Sequence, residues 1–432
     1  MRYSGRDILA LTGTPVGRAT LLQSANRACW PVLQQLAAFH RRTFVRRCRF
    51  AAIVGSFGKT TTTRAVAAAL GTPMRSRRHA NCWSHLAEAV LGVQPGQRHA
   101  VIEAGISDTG QMAAYARLIR PDIAVVTCIG SEHHRSLGTL ETTRAEKSLM
   151  VGALPSRGVA VLNGDDPNVV WMAGRTRARV VTFGLGEQND VRASEIKLDW
   201  PRGTRFCLHA AGREFAARTR LFGRHMAYPV LAAVATALAE GICLEGALER
   251  LEKVEPTPGR MQPIRLANGA FLLRDDFKSS YETIETAFDA FAEIPARRRI
   301  VVLGDVSEPP GKQGPIYRHF GERIARTASK AVLVTRNYQW YTAGAVRAGM
   351  PRQALVGVGK SAVRAAEAVQ GDLGPGDVVL IKGRDTQRLS RVALALQGRI
   401  VRCDIMPCRV DRMPCERCPM LEQGWNGMRV VT

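Results

Sequence analysis

Gly55-Ser-Phe-Gly-Lys-Thr-Thr61 brings together the residue types that can hold a polyphosphate. Gly55 and Gly58 let the backbone approach an anion with no Cβ in the way. Lys59 can set a positive charge against the β- and γ-phosphates, and the Thr60 hydroxyl can hold Mg²⁺. Ser56 and Thr61 complete the cradle. Such a loop needs a strand before it and a helix after it. Apolar Phe50 to Val54 reads as the strand, and Val66-Ala-Ala-Ala-Leu70 continues the helix. The first-turn N–H groups of a helix lack intrahelical partners and point at the anion. The loop is short: Gly55 stands three residues before Gly58, and Ile53 occupies the place of the commoner first glycine. The competing reading is a chance Gly-Lys-Thr at an ordinary helix start.

The elements that must position this loop alternate along the chain. His99-Ala-Val-Ile-Glu103, Pro121 to Ile129 and Gly158 to Asn163 read as strands, and Asp108 or Thr109 is placed to cap the helix through Leu118. The alternation predicts a P-loop central domain with a mostly parallel, doubly wound α/β sheet. Ligands of that class sit at the carboxyl ends of strands, where Lys59, Glu103 and His133 all fall. Taken singly, Glu103 reads equally as a solvated loop carboxylate and His133 as a surface histidine. Residues 190–222 read as short polar strands, His225 to Glu240 as a helix closed by Gly241, and Pro256 to Gly259 as a linker. A second series, at Phe271 to Leu273, Arg299 to Leu303, Ala331 to Val334 and Asp377 to Ile381, predicts a smaller, Rossmann-like α/β C-terminal domain. Asp275, Asp276, Asp305 and Lys382 follow its strand ends. Trp30 to Phe39 has helical spacing, Thr12 to Thr20 reads as a turn, and Arg399 to Arg402 as a last strand. The expected divisions are 1–49, a helical lead-in; 50–255; 256–401; and a cysteine-rich tail, 402–432.

The chain has 432 residues, and 61 Lys and Arg against 37 Asp and Glu leave a net charge of +24. That favours acidic partners such as nucleotides or polycarboxylates. The arginines are spread in short clusters, which argues against a dedicated nucleic-acid face. No apolar run is long enough to span a bilayer, and no signal-peptide core follows Met1, so the expected compartment is the cytoplasm.

Several motifs come in the order seen in Mur ligases: Gly55 to Thr61, Glu103-Ala-Gly-Ile-Ser-Asp-Thr-Gly-Gln-Met112, Gly130-Ser-Glu-His133, Leu137 to Leu140 with Lys147, Leu162 to Pro167, Gly223-Arg-His225, Pro258-Gly-Arg-Met261 and Val302 to Asp305. Over residues 50–400 the chain resembles that family, most of all its D-alanyl-D-alanine-adding branch. The resemblance implies an ATP-dependent amide ligase: ATP converts a carboxylate into an acyl phosphate, and an amine displaces phosphate. It further implies that Lys59 and the Gly55, Ser56, Gly58 and Thr61 cradle hold the phosphates. Thr60, Glu103 and His133 would bind Mg²⁺, Arg260 would neutralise phosphate charge, and Asp276 and Lys278 would reach the ribose and the acyl phosphate. The bland reading of Asp276 and Lys278 is an exposed turn.

Departures from the family pattern carry information too. Residues 1–49 are too few for the domain that binds the UDP-sugar. Met226 and Pro229 stand where the family has asparagines, and Tyr281 replaces a proline. Together they suggest a specialised small-molecule or peptide acid and amine as substrates. A nucleotide-binding scaffold subunit and the standard muropeptide ligase are the alternatives. The tail has Cys403-x4-Cys408-x6-Cys415-x2-Cys418. Four thiolates suit Zn²⁺ or an iron–sulfur cluster, or the cysteines are reduced and unliganded. A metal there would serve structure or docking to a protein partner.

Overall fold

The computed structural model describes residues 12–13, 15–73, 83–131, 134–408, 410 and 413–424. The chain divides into two compact units, one from Asn26 to Pro256 and one that groups the described residues from Thr257 onward with those up to Ala25.

The first unit is built on an eight-stranded sheet: β1 (Arg49–Val54), β2 (His99–Glu103), β3 (Ile123–Val126), β4 (Val159–Asn163), β5 (Arg179–Gly184), β6 (Val191–Asp199), β7 (Gly203–Ala210) and β8 (Arg213–Thr219). Its order is β2-β1-β3-β4-β5-β6-β7-β8. Neighbours up to β6 are parallel, and β6 to β8 run antiparallel. β3 and β4 are buried at every position, as a sheet covered on both faces requires, whereas β6 and β7 alternate buried with more exposed residues. The chain leaves β1 for β2 on one side and returns for β3 on the other, so a ligand crevice falls at the β1/β3 ends.

The start of β1 is anchored on both flanks. From the Trp30–Thr43 helix, buried Arg41 donates to the Ile119 carbonyl at 2.9 Å and to Asp122 at 3.0 Å, and its guanidinium lies 4.0 Å above the Phe50 ring. On the other flank Glu240, at the end of the Ala227–Ala239 helix, takes a two-pronged bond from Arg49 at 2.6 and 2.7 Å. It also pairs with His99 at 3.0 Å, tying β2 to β1.

The second unit has a six-stranded sheet of β9 (Gln262–Arg265), β10 (Phe271–Asp275), β11 (Arg298–Leu303), β12 (Lys330–Leu333), β13 (Leu355–Gly357) and β14 (Asp377–Lys382). The order is β13-β12-β11-β14-β10-β9, parallel except for the edge strand β9. Ile300, Val302, Val332, Val379 and Ile381 from its centre pack with Ala362, Ala365 and Val369 of the Ala362–Gln370 helix.

Three local expectations fail for physical reasons. Pro15 opens a helix, Pro15–Ala28, where a turn was expected; a first-turn proline costs no hydrogen bond. Neither Asp108 nor Thr109 caps the next helix: Gly110, at φ 79°, is its N-cap, and Asp108 accepts instead from the Thr109 N–H at 2.8 Å. Arg399 to Arg402 form no strand, and the Arg402 N–H donates to the Leu421 carbonyl at 2.8 Å.

Burial alone would raise the Glu240 carboxyl, but the bonds from His99 and Arg49 outweigh it and hold its pKa at about 2. A depressed carboxylate stabilises the fold above its unfolded pKa, and that contribution is lost as pH falls through the folded value. Glu240→Gln should therefore cost about 2 kcal/mol near neutral pH. Denaturant titrations of both proteins at neutral pH and at about pH 3 check this; the gap should narrow in acid.

Candidate active site

The phosphate loop exists because β1 and β3 end side by side. The Thr127 N–H donates to the Val54 carbonyl at 3.0 Å and the Ser56 N–H to the Cys128 carbonyl at 2.7 Å. At Gly55 φ is 139°, and a Cβ there would lie 2.0 Å from the Thr127 hydroxyl. That hydroxyl donates to the Phe57 carbonyl at 2.6 Å, and Asn163 at the end of β4 holds the Thr127 carbonyl at 2.8 Å. Gly58, at φ 79°, turns the chain into the Lys59–Ala69 helix, whose residues 59–63 are all buried.

Two lysines converge on this loop. Lys59 Nζ donates to the Gly55 carbonyl at 2.9 Å and the Ser56 carbonyl at 2.8 Å. Lys147 Nζ donates to Ser56 Oγ at 3.0 Å. Lys59 is 8% exposed and Lys147 is 2% exposed. Ser56 Oγ is further fixed by the Gly130 N–H at 2.9 Å. Two ammonium groups beside a helix N-terminus make a setting that favours a polyphosphate. Thr60 and Thr61 are buried in the first helical turn. Half-buried Glu103 ends β2 in register with Ile53, so it borders the same strand ends. His133 lies outside the described residues.

Lys147 belongs to the site by geometry, although sequence spacing assigned it no role. A signal was present: in the Leu140–Gly152 helix it shares the buried set with Thr143, Met150 and Val151, a lysine where an apolar residue is expected.

The second unit carries the other expected residues. Half-buried Arg260 lies 4.5 Å above the Phe277 ring. Asp276 is buried and receives Arg274 Nε at 3.0 Å, so it is no exposed turn residue. Half-buried Lys278 follows two residues later. The ends of β10 and β14 pair Asp275 with fully buried Lys382 at 2.6 Å, and burial lowers the lysine's pKa despite this partner. Arg274 also reaches Glu416, in the tail, at 3.0 Å.

Cys403, Cys408 and Cys415 are buried, Cys418 is half-buried, and none forms a disulfide. No three of their sulfurs lie within 4.8 Å of one another. Among the described residues that spacing is met by Cys207, His209 and exposed Glu214 on β7 and β8. A cleft of about 400 Å³ opens at the other pole of the first sheet, beside His99 and Arg250.

Residues 53–237 match the Mur ligase middle domain, and residues 259–384 match the Mur ligase glutamate ligase domain. The UDP-N-acetylmuramoyl-tripeptide–D-alanyl-D-alanine ligase of Mycobacterium tuberculosis (strain H37Rv) is 31% identical over 370 residues, spanning 80% of this chain and 72% of that protein. The chain belongs to the Mur ligase family. Members of this family are ATP-dependent carbon–nitrogen ligases, and this chain is one of them. The enzyme of the same name from Bacillus subtilis (strain 168) is 26% identical over 371 residues, 83% of this chain and 78% of that one. The fold agrees. A crystal structure of MurF from Acinetobacter baumannii superposes with a TM-score of 0.76 at 22% identity, covering 86% of this chain and 81% of that one. A Thermotoga maritima MurF ligase in complex with ADP gives 0.74 at 20% identity, covering 85% and 83%.

Lys59→Ala should weaken ATP binding at least tenfold, since a charge-assisted hydrogen bond is worth about 2 kcal/mol. Lys147→Met should produce a comparable loss. Calorimetric titration of ATP into each folded variant measures it; affinity unchanged in both would remove the loop assignment.

Proposed function

We propose that this ligase joins a carboxylic acid to an amine through an acyl phosphate, and that its acid differs from the standard UDP-muramoyl peptide. The observation that carries the first part is the pair of buried lysines on Ser56 and the Gly55 carbonyl, a cationic cradle at a helix N-terminus. In this reading the acid's carboxylate oxygen attacks the γ-phosphorus and ADP leaves. The amine nitrogen then attacks the acyl carbon, the C–O bond to phosphate breaks, and the amine gives up a proton. Lys59 and Lys147 stabilise charge on the phosphates, a preorganised electrostatic role. Thr60 and Glu103 offer the oxygen ligands that Mg²⁺ prefers, and the ion would neutralise phosphate charge. The family resemblance gives Arg260 a charge-neutralising role at the phosphate and Lys278 one at the acyl phosphate.

Support for a specialised acid comes from the departures. Met226 and Pro229 are buried in the opening of the Ala227–Ala239 helix and its 3₁₀ lead-in. Tyr281 opens the Tyr281–Ala292 helix and stacks on His319 at 5.7 Å. The family's asparagines and proline at these places are thus replaced by side chains committed to packing. The names of the relatives favour a second reading, in which the substrates are UDP-N-acetylmuramoyl-tripeptide and D-alanyl-D-alanine.

A coupled assay for ADP release across acids and amino acids, with that muropeptide pair included, decides between them. Turnover that needs both an acid and an amine supports the ligase. Turnover with the muropeptide pair selects the second reading. ATP binding without any acid-dependent ADP would instead indicate a nucleotide-binding scaffold.

Lys278→Met tests the acyl-phosphate role. A contact made chiefly in the transition state lowers kcat more than ATP affinity, by about 100-fold. Wild-type kcat in this variant would return Lys278 to an ordinary turn.

A further inference from the structure

The four tail cysteines are drawn together by backbone bonds. The Cys403 N–H donates to the Leu421 carbonyl at 3.1 Å, Leu421 to Cys418 at 3.1 Å, and Cys418 to Cys415 at 3.2 Å. Cys408 packs in one small apolar cluster with Cys418, Val410 and Met420. Its N–H is fixed by the Thr386 carbonyl at 2.8 Å.

Two buried arginines surround the same group. Arg391 is 2% exposed and Arg388 8% exposed, and the Nε of each is buried without a hydrogen-bond partner. Arg391 donates to the Ile405 carbonyl at 2.7 Å and Arg388 to Asp385 at 2.6 Å. Arg388 also donates to the Val410 carbonyl, two residues from Cys408. Buried unsatisfied donors beside a set of ligand-type side chains call for an anionic occupant.

Two centres could supply that charge, and spacing separates them. A tetrahedral zinc with bonds of about 2.3 Å draws its sulfurs to about 3.8 Å from one another. Here no three approach within 4.8 Å. A four-iron cluster is a larger body and holds its ligands farther apart. The bacterial ferredoxin run of cluster cysteines ends in a Cys-Pro step, and Cys418 is likewise followed by Pro419. Four thiolates around such a cluster leave a net charge of roughly −2, which Arg391 and the Asp385-paired Arg388 offset in part.

We infer that Cys403, Cys408, Cys415 and Cys418 ligate an iron–sulfur cluster whose charge is offset in part by Arg388 and Arg391. The cluster would fix the Cys415–Arg417 turn and so hold Glu416 against Arg274, which in turn holds Asp276. This link to the nucleotide rests on the role proposed for Asp276; the cluster itself does not.

The test is metal analysis of the full chain purified without oxygen or chelator. About four iron and four acid-labile sulfide per chain are expected, with broad visible absorption. Cys415→Ser should lose both. One zinc without sulfide overturns the inference, and so does a metal-free wild-type chain whose four thiols are all alkylated. The wild-type measurement stands even if the variant fails to fold. Glu416→Ala should keep the iron and weaken ATP binding several-fold; unchanged affinity would break only the link to Asp276.

Discussion

The space at Gly55 governs the first unit. With 2.0 Å between a notional Cβ and the Thr127 hydroxyl, no other residue fits without displacing that hydroxyl. Because Gly55 does fit, the Thr127 hydroxyl reaches the Phe57 carbonyl and closes the loop from the sheet side. Asn163 then fixes Thr127 from β4. Three adjacent strand ends thus dictate the path of four residues. The helix that follows inherits its direction from them, and with it the aim of its N–H groups.

Charge is handled differently in the two units. In the first, Lys59 and Lys147 donate to carbonyl and hydroxyl oxygens of the phosphate loop itself. In the second, Lys382 and Arg274 are matched by Asp275, Asp276 and Glu416, and the cost of burying them is offset within the fold. A net charge of +24 therefore says little about either place. The relevant quantity is where each buried cation stands.

The sheets were legible because β1, β3, β4, β11 and β14 are continuous apolar runs, a pattern few other elements share. The phosphate loop was legible because glycine, lysine and threonine have local reasons to stand there. β9 and β13 were not, being short, half-exposed edge strands whose pairing is decided by distant partners. Lys147 was missed as a site residue for the same reason. Its role depends on Ser56, 91 positions away, and no local pattern encodes that meeting. The Arg274–Glu416 pair, which brings the tail to Asp276, was invisible on the same ground.

Arg41 has a consequence for how the chain behaves when cut. Arg46 and Arg47 are exposed between the Trp30–Thr43 helix and β1. Trypsin should nick the chain there. Yet Arg41 bonds to the carbonyls of Ile119 and Arg120 and to Asp122, while Ala37 is fully buried in the same core as Phe50. The severed helix would stay seated, and the two fragments would elute together from a sizing column until denaturant parted them.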